Sequence, residues 1–297
     1  MTFQQIVILG AGAIGSTYGA AISKQHNVLL IGRGKHVEAI NTGGLIIEGD
    51  FAGTYKPSAK TTLDEILPET LLVVTTKAYD VENSLQAIQT IVRKDTVVLL
   101  LQNGLGIIEL AKRALKGKGV VVRGLITMAA EMLAPGHIKT WRGETILGSD
   151  KNSKKITHLF NESDLPVRVS ETFEKELWKK LAMNCVINPL TAILRVRNKE
   201  IGVSTLAPIR HAIIRECIAI SMAEGVELKA DLISDIDKMI PRYTNLSSMY
   251  QDVKRGKQTE IDFINGKIVE FGKRHGIPTP MNHCLAQLVR FQEEHQF

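Results

Sequence analysis

A glycine motif near the start of the chain constrains the fold most. An apolar run at residues 6–9 leads into Gly10-Ala11-Gly12-Ala13-Ile14-Gly15, and a helical pattern follows at residues 17–23. In a strand–GxGxxG–helix unit the first glycine allows a tight turn, the second admits a pyrophosphate, and the third lets the helix pack closely on the sheet. The N-terminus of the helix offers N–H groups to the anion. We interpret residues 10–15 as a dinucleotide-binding turn; the alternative is a glycine-rich turn without a ligand.

The second predicted strand, residues 27–31, ends in a basic segment. Enzymes that bind NAD usually carry Asp or Glu about 20 residues after the glycines, where the carboxylate binds ribose hydroxyls. No acidic residue lies between Gly15 and Glu38, and Arg33 and Lys35 stand there instead. Because a guanidinium can bind a 2′-phosphate through two hydrogen bonds, we predict NADP(H) as the cofactor. The alternative is a solvated loop with two surface cations.

Length and composition exclude several other classes of protein. The 297 residues suffice for two domains, and no apolar run approaches the roughly 20 residues of a membrane span. The chain starts without the features of a secretory signal, and its three cysteines lack C-x-x-C spacing. The net charge of +6 comes without a basic stripe interleaved with aromatic residues. We expect a cytoplasmic protein with small-molecule ligands and no metal, membrane or nucleic-acid partner. A homodimer is left open.

The order of the patterns predicts an α/β fold with two domains. Strand-like and helix-like segments alternate through the first half, which is typical of βαβ units and a parallel sheet. We predict an N-terminal Rossmann-type dinucleotide-binding domain at residues 1–168 and an all-helical C-terminal domain at residues 169–297. Residues 136–141 and 144–148 alternate around a turn and predict an antiparallel hairpin at the edge of the sheet.

Two loops follow predicted parallel strands at the edge where open α/β sheets bind ligands. Lys77 follows the strand at residues 71–75, and Asn103 follows the strand at residues 97–101. Lys77 is suited to a phosphate or a ribose, whereas Asn103 offers a donor and an acceptor near the nicotinamide. An ordinary loop lysine and an ordinary Asn-Gly turn are the alternatives.

A polar stripe crosses an otherwise apolar helical segment at the start of the second domain. Lys180, Asn184 and Asn188 follow the spacing i, i+4, i+8 and so lie on one helix face. A partly desolvated lysine beside two amides can donate a proton to a developing alkoxide. Pro189 bends or ends the helix and could aim the Asn188 amide into a cleft. The alternative is a buried polar seam that caps neighbouring helices.

Further candidates lie in the last third of the chain. Ser248 belongs to the polar segment 245–249 and is suited to binding a carboxylate. Glu260 precedes an apolar-periodic helical segment, where it either complements the helix dipole or accepts a hydrogen bond from a substrate hydroxyl. Glu216 is a weaker candidate on a mostly apolar helix.

These segments together resemble the ketopantoate reductase (2-dehydropantoate 2-reductase) family almost from end to end. The resemblance rests on G-A-G-A-I-G, T-K-A, Q-N-G-L-G, W-K-K-L-A-M-N-C-V-I-N-P-L-T-A, N-L-S-S-M-x-Q-D and T-E-I-D-F-I-N-G. It implies an oxidoreductase that uses NADPH to reduce ketopantoate to pantoate in pantothenate biosynthesis, on the way to coenzyme A. The loop after the second strand and residues 195–206 depart from the family pattern.

The resemblance also implies a role for each candidate residue. The catalytic residues would be Lys180, as general acid, and Glu260. The substrate contacts would be Asn103, Asn184, Asn188, Asn198 and Ser248. The cofactor contacts would be Gly10, Ala11, Gly12, Ala13, Ile14, Gly15, Arg33, Lys77, Asn103, Ala130 (along the nicotinamide) and Glu260. Two alternatives stay open: a reductase of another small 2-oxo or 3-hydroxy acid, and a non-catalytic NADPH-binding regulator.

Overall fold

The computed structural model describes residues 3–295, which form two compact units. The first unit comprises the residues up to Gln102 together with Ile107–Phe173. The second comprises Asn103–Gly106 and the residues from Glu174 onwards. The four-residue loop Asn103–Gly106 thus belongs to the second unit, although the main part of that unit begins only at Glu174. The sequence suggests a single division after residue 168.

The first unit alternates strands and helices along its described residues. Its strands are β1 (Gln5–Leu9), β2 (Val28–Ile31), β3 (Leu45–Gly49), β4 (Gly53–Tyr55), β5 (Ser58–Lys60), β6 (Thr70–Val74), β7 (Val97–Leu100), β8 (Val120–Ile126), β9 (Ala129–Ala134), β10 (His137–Trp141), β11 (Thr145–Gly148) and β12 (Val167–Ser170). Its α-helices are α1 (Ala13–Ile22), α2 (Gly34–Gly43), α3 (Val81–Ile88), α4 (Ile107–Leu115) and α5 (Ser153–Glu162).

The main sheet has the strand order of a dinucleotide-binding fold. Eight strands lie in the order β12-β11-β8-β7-β6-β1-β2-β5. The six strands β8, β7, β6, β1, β2 and β5 are parallel. If these six are renumbered 1 to 6 by their order in the chain, their order across the sheet, starting from β5, is 3-2-1-4-5-6, and the direction of the order reverses next to β1. The α/β class with a Rossmann-type N-terminal part is therefore confirmed.

Burial on both faces explains why the central strands read as continuous apolar runs. The residues of β6 and β7 are all buried, as are all but the first of β1. Helices on both faces keep water from such strands, so alternation with polar residues is lost. The ring of Tyr18 on α1 packs 5.4 Å from that of Phe160 on α5, and burial raises the pKa of its phenol. The helix that follows the β1 turn is thus packed into the core through Tyr18.

The predicted hairpin of residues 136–141 and 144–148 is wrong. β10 pairs antiparallel with β9 and parallel with β3 in a separate four-stranded sheet, in the order β4-β3-β10-β9. β11 instead pairs antiparallel with β8 in the main sheet. β10 alternates as predicted, whereas the first three residues of β11 are all buried. Alternation does not specify a partner, and the turn before β10 pairs it with β9 instead.

Helices and loops make up the described residues of the second unit. Its α-helices are α6 (Phe173–Leu194, beginning one residue before the unit), α7 (Ala207–Ala223), α8 (Leu232–Met239), α9 (Ser248–Lys254), α10 (Asn265–His275) and α11 (Pro280–His295). Four short 3-10 helices complete it: Asn198–Gly202, Ser204–Leu206, Ile240–Arg242 and Ile261–Phe263. The helical C-terminal part of the predicted fold is confirmed.

Helix α6 does not end at Asn188, although Pro189 follows. The helix continues to Leu194 with Pro189 inside it. A proline in a helix removes one backbone hydrogen bond, and Cys185, four residues earlier, loses its donor. The side-chain amide of Asn265 donates to this carbonyl oxygen instead, at 2.9 Å. The helix therefore continues past Pro189 with a side-chain hydrogen bond from Asn265, a residue distant in sequence, at the Cys185 carbonyl.

The helical pattern at residues 259–275 covers two elements rather than one helix. A 3-10 helix spans Ile261–Phe263, and α10 begins only at Asn265. The carbonyl of Phe263 accepts a hydrogen bond from the Leu105 N–H at 3.0 Å. In a continuous helix the Lys267 N–H, four residues later, would donate to this carbonyl instead. The loop at residues 103–106 thus packs on this segment where its helical pattern is interrupted.

Candidate functional site

The glycine turn between β1 and α1 has the geometry that the motif predicts. Gly10 has φ +104°, and a Cβ there would lie 2.5 Å from the Thr76 nitrogen. A Cβ at Gly15 would lie 2.4 Å from the Gly10 carbonyl oxygen. At Gly12, by contrast, a Cβ would meet only the Gly10 oxygen, at 4.0 Å. The packing of the chain requires glycine at positions 10 and 15, whereas the space at position 12 is open.

This open space lies at the N-terminus of α1. Gly12 is the N-cap residue, no side chain caps the helix, and its first turn has no acidic residue. Ala13 and Ile14 follow on the partly exposed first turn, and Ala11 is buried behind it. Uncapped N–H groups and a glycine without a packing role fit the diphosphate of a dinucleotide.

Basic side chains surround the carboxyl end of β2. Arg33 is the N-cap residue of α2, and Arg33 and Lys35 are exposed. Lys60 lies opposite Ile31 in the parallel pairing of β2 with β5 and is also exposed. Among residues 3–295, none of these three cations forms a salt bridge. Sequence reasoning missed Lys60, because only the sheet pairing brings it to this edge.

His36 joins three elements behind Arg33. Its ring is buried and lies 2.9 Å from the Ser16 Oγ on α1, and the Gly136 N–H donates to its Nδ1 at 2.9 Å. Because Nδ1 accepts, the hydrogen of the neutral ring is on Nε2 and is donated to Ser16. Burial lowers the pKa of His36. The neutral imidazole therefore holds α2 against the glycine-motif helix.

The two strand-end loops are joined within the first unit. Gln102 is buried, and its side-chain nitrogen donates to the carbonyls of Val74 and Thr76, at 2.8 and 3.2 Å. The hydroxyl of Thr75 donates to the Gly10 carbonyl at 2.7 Å. Lys77, half-buried, follows as the N-cap residue of the 3-10 helix Ala78–Asp80. These hydrogen bonds fix the backbone before Lys77 relative to the glycine turn.

Ala130 lies on β9 of the small sheet. It is half-buried and pairs with Thr140 on β10.

The polar stripe on α6 has the predicted register. Lys180 and Asn184 are half-buried and Asn188 is buried, whereas the neighbouring Lys179 is exposed. Adjacent residues are separated by 100° around a helix, which explains why two consecutive lysines differ. Lys180 is therefore the lysine in partly desolvated surroundings.

Asn198 and the segment that carries Ser248 meet through Asn245. The Asn198 side-chain nitrogen donates to the Asn245 Oδ1 at 3.3 Å, and the Asn198 N–H donates to the Asn245 carbonyl at 3.2 Å. Ser247, not Ser248, caps α9 and accepts a hydrogen bond from the Thr191 hydroxyl on α6 at 2.7 Å. Ser248 is the exposed first residue of α9. The segment that carries Ser248 is thus attached to Asn198 through Asn245 and to the end of α6 through Ser247.

Asn103 and Glu260 belong to two segments that pack together. Gly104 has φ +86°, and a Cβ there would lie 2.3 Å from the Phe263 oxygen. Glu260 is buried and precedes the 3-10 helix that includes Phe263. The turn after Asn103 therefore requires glycine because the Glu260 segment passes so close to it.

Glu216 has a structural role. Its carboxylate accepts hydrogen bonds from the N–H groups of Met281 and Asn282 at 2.8 and 2.9 Å, at the start of α11. It also accepts from the Asn282 side chain at 2.7 Å. A carboxylate satisfies the free N–H groups of a helix N-terminus and complements its dipole. The sequence shows the acid but not the helix that it caps.

Within residues 3–295, no group of three or more His, Cys, Asp or Glu side chains is arranged to hold a metal ion. None of the described helices is long and apolar enough to cross a membrane.

Comparisons with known proteins identify relatives along nearly the whole chain. The family model "Ketopantoate reductase PanE/ApbA" matches residues 6–152, and its C-terminal counterpart matches residues 172–293. A 2-dehydropantoate 2-reductase of Pyrococcus horikoshii is 37% identical, covering 97% of both chains. The corresponding protein of Vibrio cholerae is 33% identical, over 97% of this chain and 98% of its own.

Solved structures share the fold across nearly the whole chain. A PanE/ApbA family ketopantoate reductase from Ralstonia eutropha superposes with a TM-score of 0.91 at 32% identity, covering 99% of both chains. A D-mandelate dehydrogenase with NADH and anilino(oxo)acetate superposes with a TM-score of 0.90 at 30% identity, again covering 99% of both. With both family models matched and relatives above 30% identity along its length, the chain belongs to the ketopantoate reductase family.

Proposed function

We propose that this protein is a 2-dehydropantoate 2-reductase, which reduces ketopantoate to pantoate with NADPH. The observation that carries the proposal is the α6 stripe, in which Lys180 is half-buried above Asn184 and Asn188 in a chain that also has a dinucleotide-binding turn. Family membership supports the same activity. The reaction would serve pantothenate biosynthesis.

Residues of the first unit would bind the cofactor. The open turn at Gly12 and the uncapped N-terminus of α1 suit the diphosphate. Lys77 would reach a phosphate or the nicotinamide ribose, and Ala130 would leave room along the nicotinamide. When bound, NADPH supplies the hydride that the ketone carbon receives.

Lys180 would act on the ketone oxygen. Its ammonium group polarises the carbonyl, stabilises the negative charge that develops on the oxygen, and donates a proton to it. Partial desolvation strengthens this electrostatic interaction, because fewer water molecules screen it. The exposed Lys179 lacks this advantage.

The other polar residues of the second unit would orient the substrate. The amides of Asn103, Asn184, Asn188 and Asn198 can each donate and accept, as a 2-oxo acid with a hydroxyl group requires. The Ser248 hydroxyl would donate to the carboxylate. The buried Glu260 would accept a hydrogen bond from the substrate hydroxyl or from the cofactor.

The basic edge at β2 supports NADPH over NADH. Arg33, Lys35 and Lys60 are exposed there, and none forms a salt bridge within residues 3–295. Three positive charges favour a 2′-phosphate, and a guanidinium matches its geometry. Among these cations, Arg33 is placed closest in sequence to the end of β2.

A second candidate is a reductase of a different 2-oxo acid, with NADH. The similarity to a D-mandelate dehydrogenase with NADH favours it, since this fold and this level of identity accommodate that enzyme too. A non-catalytic dinucleotide-binding regulator is the weaker alternative, because it would not need a half-buried lysine beside two amides.

Product identification tests the proposal. The purified protein is incubated with ketopantoate and NADPH, and the product is analysed by mass spectrometry. We expect one pantoate for each NADPH oxidised. Tight NADPH binding without oxidation would favour the regulator, and oxidation only with other 2-oxo acids would favour the second candidate.

A further inference from the structure

A series of buried hydrogen bonds links three helices of the second unit to the backbone of α6. The Asn265 side-chain nitrogen donates to the Cys185 carbonyl and to the Asn282 Oδ1, each at 2.9 Å. The Asn282 nitrogen in turn donates to the Glu216 carboxylate at 2.7 Å. Asn265 and Asn282 are both fully buried. These hydrogen bonds therefore connect α7, α11, α10 and α6 in the buried interior of the second unit.

The direction of each hydrogen bond follows from the carboxylate. A carboxylate only accepts, so Asn282 must present its nitrogen to Glu216 and its oxygen to Asn265. Asn265 then faces two acceptors, the Asn282 oxygen and the Cys185 carbonyl, and needs both of its N–H groups. Its own oxygen has no hydrogen-bond partner. A buried amide with an unpaired oxygen is costly, which indicates that this residue is required for its two donors.

The Cys185 carbonyl is the acceptor that Pro189 leaves without a backbone donor. Proline has no N–H, and its ring crowds the carbonyl four residues earlier. Cys185 lies within the polar stripe on α6, after Lys180 and Asn184 and before Asn188. The local geometry of α6 at Cys185 therefore decides how the two ends of the stripe are oriented to each other.

Asn265 also lies next to the Glu260 segment. It is the first residue of α10, only five residues after Glu260, and Phe263 between them accepts the hydrogen bond from Leu105. The amide thus ties the Glu260 segment, and the loop packed on it, to the helix that carries Lys180.

We propose that Asn265 is a positioning residue, whose amide replaces the backbone hydrogen bond that Pro189 removes and so aligns the α6 stripe with the Glu260 segment. This inference rests on the proposed function for its catalytic consequence. It assigns Asn265 no contact with substrate or cofactor.

A double-mutant cycle with Pro189 tests the inference. Asn265→Ala removes the donor, and we expect kcat/KM for ketopantoate to fall roughly 10- to 100-fold, because small misplacements of reacting groups are costly. The Kd for NADPH, measured by fluorescence, should change less than about twofold, since most of the proposed cofactor contacts, including the glycine turn and Arg33, are in the other unit. In the Pro189→Ala background the backbone N–H of residue 189 can donate to Cys185. The same Asn265→Ala change should then lower kcat/KM only a few-fold.

The matched control is Lys273→Ala, an exposed change on α10, which should alter neither quantity. An equal loss of kcat/KM in both backgrounds would overturn the inference. So would an Asn265→Ala enzyme that melts earlier but keeps its kcat/KM, because that result describes a purely structural residue. If Asn265→Ala does not fold, Asn265→Ser, with one shorter donor, replaces it in the cycle.

Thermal unfolding of the same four proteins separates this inference from the proposed function. A wild-type protein that does not reduce ketopantoate contradicts the proposed function. The melting temperatures still show whether Asn265→Ala lowers the melting temperature less in the Pro189→Ala background than in the wild type. An equal shift in both backgrounds overturns the hydrogen-bond replacement whatever the substrate.

Discussion

Lys179 and Lys180 are adjacent in sequence but differ in exposure, and this difference makes the role of Lys180 testable. We expect Lys180→Ala to lower kcat by roughly 10²- to 10⁴-fold, the usual contribution of a general acid. The loss falls mainly on kcat, because the charge on the ketone oxygen develops in the transition state. Steady-state kinetics with ketopantoate measure it, and NADPH binding should be retained.

Lys179→Ala is the control, since it removes the same charge 100° around the helix. Its kcat should stay within about twofold of the wild type, as for other surface changes away from a site. If Lys179→Ala proved damaging and Lys180→Ala mild, the assignment of the stripe would be wrong.

Arg33 is the residue that should distinguish the two cofactors. Arg33→Ala should raise the KM for NADPH roughly tenfold or more, since a charge-assisted hydrogen bond to the 2′-phosphate is lost. The KM for NADH should change little, because NADH has no 2′-phosphate. Both constants are measured with ketopantoate saturating.

The exposed Lys112 on α4 offers a matched removal of one positive charge, and Lys112→Ala should leave both constants unchanged. Equal losses with NADPH and NADH for Arg33→Ala would mean that the side chain has a structural role.

At the scale of elements, His36 makes the attachment of α2 dependent on pH. Burial lowers the pKa of His36 below its ordinary value of 6.5. Protonation would also place an N–H at Nδ1, where the Gly136 N–H already donates. The unfolded chain therefore binds a proton more readily than the folded one, so stability rises with pH in this range. We expect the melting temperature to fall as the pH drops through about 6.5.

Comparison of variants isolates this effect from the carboxylates, which titrate at lower pH. His36→Gln removes the titrating ring, so its melting temperature should depend less on pH between about 7.5 and 5.5. His283→Gln, an exposed change on α11, should keep the wild-type dependence. Identical pH dependence in His36→Gln and the wild type would contradict the explanation.

The elements also show what can be predicted from the sequence. The turn at Gly10–Gly15, the central strands and the register of Lys180 could be predicted, because they depend on local steric requirements and on periodicity. The partner of β10 could not, since alternation does not specify which strand lies beside it. The role of Glu216 and the position of Lys60 depend on contacts between distant segments, as does the hydrogen bond from Asn265 to Cys185.

At the scale of the whole molecule, the burial of the cysteines gives a test of both the fold and its integrity. Cys185 and Cys217 are fully buried in the second unit, and Cys284 is exposed. Burial and the neighbouring Cys217 thiol raise the pKa of Cys185 well above its ordinary value. Because the thiolate is the reactive form, only Cys284 should react quickly with a thiol reagent in the native protein.

We expect one fast thiol in the native protein and three in denaturant. Cys284→Ser should abolish the fast reaction. A second fast thiol in the native state would mean that the core between α6 and α7 opens on the timescale of labelling.

Under the proposed function, the two units would contribute different parts of the selectivity. The basic edge at β2 would select the cofactor, and the polar side chains of the helical unit would select the acid. Sequence and structure therefore predict a joint preference for NADPH and for a small hydroxylated 2-oxo acid over an aromatic one.

The ratio of kcat/KM values measures this preference most directly. Ketopantoate and phenylglyoxylate are each assayed with NADPH and with NADH, by the loss of absorbance of the reduced nicotinamide. We predict that ketopantoate with NADPH has the highest kcat/KM. It should exceed phenylglyoxylate with NADPH by roughly 10⁴-fold, because an analogue without the hydroxyl leaves the polar groups of the site unpaired. It should exceed ketopantoate with NADH by roughly tenfold or more, because the charge-assisted hydrogen bond to the 2′-phosphate is absent. A higher kcat/KM for phenylglyoxylate with NADH would contradict the account.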